Sequence, residues 1–84
     1  MPRPTLLVID DDPMELSLVE EYLKAKGDYE VIAETDPRLG LARLAQMPVD
    51  LVLCDWRLPE LSGIEFLEEV KRQNGDLPVV IFSG

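Results

Sequence analysis

Two groups of aspartates in this sequence each follow a short apolar run. Asp10, Asp11 and Asp12 come after residues 6–9, and Asp55 comes after residues 51–54. Runs of this length and composition are typical of buried parallel strands, whose carboxyl ends form one ligand-binding edge of a sheet. We therefore expect the carboxylates to meet at that edge, where their mutual repulsion favours the binding of a hard divalent cation.

Asp55 is predicted to be the reactive member of this group, because it ends a strand and begins a loop containing a proline and a glycine. A carboxylate in such a position can attack phosphorus and form an acyl phosphate. Asp10 and Asp11 are then available to hold Mg²⁺, which needs only one or two carboxylates together with water. Asp12 is predicted instead to be the N-cap of a helix that begins at Pro13.

Three further residues lie next to the predicted strand ends. Ser83 follows the last apolar run, so its hydroxyl is predicted to donate to a phosphoryl oxygen. Arg57 is predicted to offer its backbone carbonyl to the metal, because the residues after Asp55 curl over the site. Cys54 is expected to pack as a small apolar side chain rather than to react.

Strand and helix patterns alternate along the chain, which predicts an α/β fold with a parallel sheet. The strand with charged neighbours, residues 30–33, is predicted to lie at an edge of the sheet. Leu16, Val19 and Leu23 recur at helical spacing and are predicted to face the sheet. The predicted strands are residues 5–9, 30–33, 50–54 and 79–82, and the predicted helices are residues 13–26, 37–46 and 64–73.

Composition limits the classes of function. A chain of 84 residues forms at most one domain, and a net charge of −9 argues against direct binding to nucleic acid or to an anionic membrane. Cys54 is the only cysteine, so no internal disulfide can form. The apolar run near the N-terminus is too short for a signal peptide or a membrane span, and we expect a cytoplasmic protein.

Three blocks of the sequence together resemble the receiver domain of two-component response regulators. They are Leu-Leu-Val-Ile-Asp-Asp-Asp-Pro at residues 6–13, Asp-Trp-Arg-Leu-Pro at residues 55–59 with Gly63, and Val-Val-Ile-Phe-Ser-Gly at residues 79–84. The resemblance implies a flavodoxin-like, doubly wound parallel sheet. It also implies Asp55 as the phosphoacceptor, with Mg²⁺ held by Asp10, Asp11, Asp55 and the Arg57 carbonyl, and Ser83 as the switch hydroxyl.

The partners and the type of activity follow from the same resemblance. The phosphoryl donor is expected to be a phosphohistidine on a sensor histidine kinase or a histidine phosphotransfer protein. A receiver catalyses its own phosphorylation and passes a signal to an output, so we expect a signalling phosphoacceptor and not an enzyme.

The sequence departs from the family because it ends before a fifth strand, helices four and five, and the lysine of strand five. Residues 1–84 are therefore expected to be the N-terminal two-thirds of a receiver domain, short of it by roughly 30–40 residues. The sheet face beside the first helix is expected to be left bare. A bare apolar face predicts aggregation or coverage by another chain, including a homodimer or a swapped oligomer.

Two other interpretations remain open from the sequence. One is a receiver-like interaction module that is not phosphorylated. The other is a fragment of a haloacid dehalogenase-like phosphatase, in which Asp10 is the nucleophile and Asp12 the general acid, as an Asp-x-Asp motif after the first strand permits. That second interpretation leaves Asp55 and its loop unexplained.

Overall fold

The computed structural model describes residues 3–58 and 61–82, and the predicted Ser83, with Pro59 and Gly84 of the motifs, lies outside them. Within the described ranges four strands alternate with three helices, as predicted. β3 is shifted by one residue toward the C-terminus, while β2 and α3 are each one residue longer than predicted. The elements are β1 (Thr5–Ile9), α1 (Pro13–Lys26), β2 (Glu30–Glu34), α2 (Pro37–Gln46), β3 (Leu51–Asp55), α3 (Gly63–Gln73) and β4 (Val79–Phe82).

The four strands form one parallel sheet in the order β2-β1-β3-β4. The predicted edge position of β2 is confirmed. β1 and β3 are neighbours at the centre, with Ile9 opposite Cys54, so the residues that follow them emerge side by side. Within the described residues no helix is both long and apolar enough to cross a membrane.

Each helix begins at a polar N-cap residue. The Asp12 carboxylate accepts a hydrogen bond from the Met14 amide at 3.0 Å, and Asp36 caps α2 in the same way. Ser62 caps α3 in a reciprocal pair with Glu65, whose side chain accepts from the Ser62 amide. Because these caps satisfy amides that the first helical turn leaves free, they fix where each helix starts beside the carboxyl edge of the sheet.

The main core lies between the sheet and the pair α2 and α3. Gly40 of α2 is buried there, and a methyl group added to it would collide with Cδ1 of Ile9. A glycine that lowers helix propensity thus allows α2 to approach β1 closely. The fully or nearly buried members of this core are Leu7, Ile9, Val52, Cys54, Phe66, Val70 and Leu77.

The opposite face of the sheet is covered only in part. α1 packs on β1 and β2, and its Leu16 is buried. Val80 of β4 is 48% exposed, and Leu18 and Tyr22 of α1 are each 61% exposed. Val80 faces the α1 side because its neighbours along β4 pack into the other core. The expected bare apolar face beside the first helix is therefore present only in part, since Val80 is exposed while Val8 on the same side of the sheet is buried.

Candidate functional site

The predicted carboxylate cluster is present at the carboxyl edge of the sheet. Asp55 is the last residue of β3, and Asp10 is the first residue after β1. One carboxylate oxygen from each of Asp10, Asp11 and Asp55 lies within 4.8 Å of the other two. Asp10 and Asp55 are buried while Asp11 is exposed, so the cluster is open to solvent on one side only.

Asp10 is the residue whose surroundings point most directly to a ligand. Its side chain is fully buried, and its Oδ1 accepts a hydrogen bond from the Asp12 amide at 3.0 Å. Its Oδ2 is buried without any hydrogen-bond partner among the described residues. A buried carboxylate oxygen without a partner is costly, so a cation or a proton is needed to satisfy it.

Burial raises the pKa of Asp10 from 3.8 to about 6. The hydrogen bond from the Asp12 amide acts in the opposite direction, and the nearby charges of Asp55 and Glu15 raise the pKa further. These are the effects expected where carboxylates share a small volume with little water. A divalent cation at the cluster would offset both the repulsion and the lost hydration.

Cys54 lies beside the cluster but does not belong to its chemistry. Its thiol is fully buried in the main core and donates to the Asp55 carbonyl oxygen at 3.3 Å. Burial, together with the charges of Asp55 and Asp10, raises the pKa of the thiol to about 12. The thiolate is therefore not formed near neutral pH, in agreement with the prediction that Cys54 packs rather than reacts.

The loop after Asp55 is held against the end of the sheet by hydrogen bonds from three backbone amides. The Arg57 amide donates to Oδ1 of Asp55 at 3.3 Å, and the Trp56 amide donates to the Phe82 carbonyl at 2.7 Å. The Gly63 amide donates to the Trp56 carbonyl at 3.3 Å. These bonds fix the Asp55 carboxylate and leave the Trp56 ring 49% exposed beside it.

Gly63 has a structural role that the sequence analysis did not assign. It is buried at the start of α3, and a methyl group there would lie 3.0 Å from the Asp55 carbonyl oxygen. The glycine therefore permits the first turn of α3 to pack directly against the backbone of the reactive residue. The spacing between Asp55 and Gly63 in the motif was the only sequence signal for this role. The contact between the start of α3 and the Asp55 backbone becomes visible only in the folded loop.

The phosphatase interpretation does not fit this arrangement. The Asp12 carboxylate accepts from the amides of Met14 and Glu15 as the N-cap of α1, so it is engaged in starting the helix rather than placed as a general acid. Asp55, whose backbone packs against the start of α3, has no role in that interpretation. The loop and the buried carboxylate of Asp55 match the receiver interpretation.

Comparisons with known proteins agree on one family. Residues 6–84 match the family model described as the response regulator receiver domain. The chain is 34% identical over 84 residues to a protein-glutamate methylesterase/protein-glutamine glutaminase of Nocardioides sp., covering 99% of this chain and 23% of that protein. It is 36% identical over 78 residues to the transcriptional regulatory protein ZraR of Escherichia coli K12, covering 93% and 18%. The chain thus spans about a fifth of the length of these curated relatives.

Solved structures show the same relationship. A receiver domain protein from Clostridium thermocellum aligns with a TM-score of 0.90 at 30% identity, over 96% of this chain and 65% of that one. The response regulator TrrA of Thermotoga maritima, solved in complex with Mg²⁺-BeF, aligns with a TM-score of 0.89 at 28% identity, over 95% and 69%. The chain belongs to the response regulator receiver domains, the phosphoacceptor modules of two-component signalling.

Proposed function

We propose that Asp55 is the phosphoacceptor of this receiver and that Asp10 and Asp11 hold Mg²⁺ beside it. The observation that carries the proposal is the meeting of three carboxylates within 4.8 Å at the edge of the sheet, one of which has a buried oxygen without a partner. Asp55 is 8% exposed, and its Oδ1 is already bound by the Arg57 amide. The other oxygen of the carboxylate is the one that we assign to the reaction.

The proposed reaction is a direct transfer. A carboxylate oxygen of Asp55 attacks the phosphorus of a phosphohistidine, so that an O–P bond forms and the N–P bond breaks. The imidazole nitrogen keeps the electron pair of the broken bond. Hydrolysis later restores the free carboxylate of Asp55. Water attacks the phosphorus, the carboxylate leaves, and inorganic phosphate is released. We therefore propose a signalling phosphoacceptor rather than an enzyme that turns over a substrate.

The residues of the cluster fit a magnesium ion. Mg²⁺ prefers oxygen ligands and is commonly held by one or two carboxylates and water, which Asp10, Asp11 and Asp55 can provide. The ion would supply neutralisation of the charge that develops on the phosphoryl oxygens. The Arg57 carbonyl as a further ligand remains a proposal that the resemblance supports.

Three other assignments rest on the family and on neighbouring residues. Phe82 lies opposite Asp55 in the β3–β4 register, so Ser83 follows directly in sequence the residue paired with Asp55. This register supports Ser83 as the switch hydroxyl.

The aligned share of the solved receivers, 65–70%, supports the proposal that residues 1–84 correspond to the N-terminal two-thirds of a receiver domain. A sensor histidine kinase or histidine phosphotransfer protein is the proposed donor.

Intact-mass measurement after incubation with a small phosphodonor tests the assignment of Asp55. We expect a gain of one phosphoryl group that requires Mg²⁺ and is absent from Asp55→Asn. Asparagine keeps an oxygen that can accept from the Arg57 amide, so the fold should survive, as thermal unfolding will check. Asp76→Asn makes the same change at an exposed loop residue and should label normally. Full labelling of Asp55→Asn would contradict the assignment, and Mg²⁺ binding without labelling of the wild type would favour the interaction module.

A further inference from the structure

The starts of α1 and α3 share a sequence pattern, an N-cap residue followed three positions later by a glutamate. In α3 the pattern forms a complete capping box, in which the side chains of Ser62 and Glu65 each accept a hydrogen bond from the backbone amide of the other residue. In α1 the corresponding residues are Asp12 and Glu15, and the Asp12 carboxylate accepts from the Glu15 amide at 3.5 Å. The first half of the box is therefore present in α1 as well.

In α1 the second half of the box is replaced by a bond to the carboxylate cluster. The Asp12 amide, which would donate to Glu15 in a complete box, donates to Oδ1 of Asp10 at 3.0 Å. Because a backbone amide carries a single hydrogen, the start of α1 is satisfied without the Glu15 carboxylate. This carboxylate thus differs from that of Glu65, which is engaged in the cap of its own helix.

The Glu15 side chain is half-buried in the first turn of α1 and lies beside Asp10. Burial is the main reason why the pKa of Asp10 is raised, and the charge of Asp55 and the charge and side chain of Glu15 raise it further. Oδ2 of Asp10, which is buried without a hydrogen-bond partner among the described residues, is the oxygen that a cation at this place would satisfy. Glu15 therefore adds a fourth negative charge to a cluster whose buried oxygen lacks a partner.

We propose that Glu15 is a positioning residue of the magnesium site that holds the ion through a bound water molecule, a role that rests on the proposed function of the cluster. Among the described residues, the three carboxylates that lie within 4.8 Å of one another do not include Glu15, so it is not placed as a direct ligand. Mg²⁺ keeps several waters when it binds one or two carboxylates, and a nearby anion accepts strong hydrogen bonds from such waters. The Glu15 charge also attracts the ion itself.

Removal of the Glu15 charge should weaken Mg²⁺ binding and leave the fold intact. Glu15→Gln keeps the length of the side chain and an oxygen that can accept from water, so only the charge is lost. We expect the dissociation constant for Mg²⁺ to rise about three- to tenfold at low salt, and further in Glu15→Ala, which also loses the acceptor. Glu15→Asp keeps the charge and should bind Mg²⁺ more tightly than Glu15→Gln. Metal-free unfolding of Glu15→Gln should match that of the wild type, because the cap of α1 does not use this carboxylate.

Mg²⁺ titrations at neutral pH test this proposal, followed by the fluorescence of Trp56, the only tryptophan, and by calorimetry. They are repeated from about 0.02 M to about 0.5 M salt, because screening should shrink the effect of a partly solvated charge. Glu21→Gln is the matched control, since it makes the same change at an exposed position of α1, about 9 Å further along the helix axis. We expect it to alter the dissociation constant by less than about twofold. Urea unfolding without divalent cations checks the fold of each variant.

Equal Mg²⁺ affinity of Glu15→Gln and the wild type would refute the role of Glu15 alone, provided that Asp10→Asn still weakens binding. A loss of affinity that Glu21→Gln shares, or that accompanies an equal loss of metal-free stability, would also refute it. The effect would then come from the overall charge of the chain or from the start of the helix. A wild type that does not bind Mg²⁺, or an Asp10→Asn variant that binds it unchanged, would refute the proposed metal site and the role of Glu15 with it.

Discussion

The Asp10→Asn substitution removes the charge of the buried carboxylate and keeps an oxygen that can accept from the Asp12 amide. Because the pKa of Asp10 is raised from 3.8 to about 6, the folded chain holds this proton more tightly than the unfolded chain does. Without metal, the free energy of unfolding therefore falls as the pH rises through this interval, and the loss is complete above about pH 7. At about 1.36 kcal/mol for each pH unit, the interval corresponds to about 3 kcal/mol.

Urea unfolding followed by Trp56 fluorescence measures this effect in the absence of divalent cations. From about pH 4 to about pH 8, we expect Asp10→Asn to change from near equality with the wild type to greater stability by about 3 kcal/mol. Asp76→Asn provides the control at an exposed position, where a surface substitution should change stability by less than about 0.5 kcal/mol at every pH. A difference between Asp10→Asn and the wild type that does not vary with pH would refute the reasoning.

The pH dependence of Mg²⁺ binding provides a second measurement of the protonation of Asp10. Mg²⁺ and the proton compete for the Asp10 carboxylate, so Mg²⁺ affinity should fall about tenfold from about pH 7 to about pH 5. In the presence of Mg²⁺ the wild type should regain the stability that it loses at high pH, because the cation satisfies the oxygen that lacks a partner. Affinity that is constant over this range would show that Asp10 is not a ligand.

Two further predictions concern packing. Gly63→Ala should lower stability by about 1–3 kcal/mol and weaken Mg²⁺ binding, because its methyl would lie 3.0 Å from the Asp55 carbonyl oxygen, whereas the control Gly75→Ala meets nothing closer than 3.7 Å. If Gly63→Ala matched the wild type in urea unfolding and in Mg²⁺ titration, the loop would have to shift to accommodate the added methyl group. Val80→Lys should reduce concentration-dependent self-association in sedimentation with little loss of stability, while Val79→Lys should destabilise the fold because Val79 packs on the main core. Equal effects of the two lysines on stability would contradict the assignment of the faces.

The strands and helices were predictable because each sequence signal has a local cause. Proline at positions 13 and 37, each after an aspartate, specifies the starts of α1 and α2, and the two aspartates are the observed caps. The apolar runs specify the strands, and their alternation with helices specifies a parallel sheet. The one-residue shift of β3 reflects pairing with β4, in which Asp55 lies opposite Phe82. Such pairing is a tertiary contact that the local sequence does not encode.

The position of the site was predictable from the same pattern, but its electrostatics were not. Carboxylates after neighbouring parallel strands must meet at one edge, and the sequence shows which residues these are. The sequence does not show that Oδ2 of Asp10 is buried without a partner while Asp11 remains exposed. That asymmetry depends on how α1 starts, because the Asp12 amide occupies Oδ1 of Asp10 and leaves Oδ2 for a ligand.

The elements that assemble the carboxylates differ from those that leave apolar surface exposed. β1, β3 and the first turns of α1 and α3 position Asp10, Asp11 and Asp55, and each of these contacts lies within the described residues. The exposed apolar surface lies on β4 and on the outer side of α1. Metal affinity and self-association should therefore respond to different substitutions. Val80→Lys should leave Mg²⁺ affinity near that of the wild type. Asp10→Asn should lower Mg²⁺ affinity without changing self-association. If either variant altered both properties, the two regions would be coupled through the sheet.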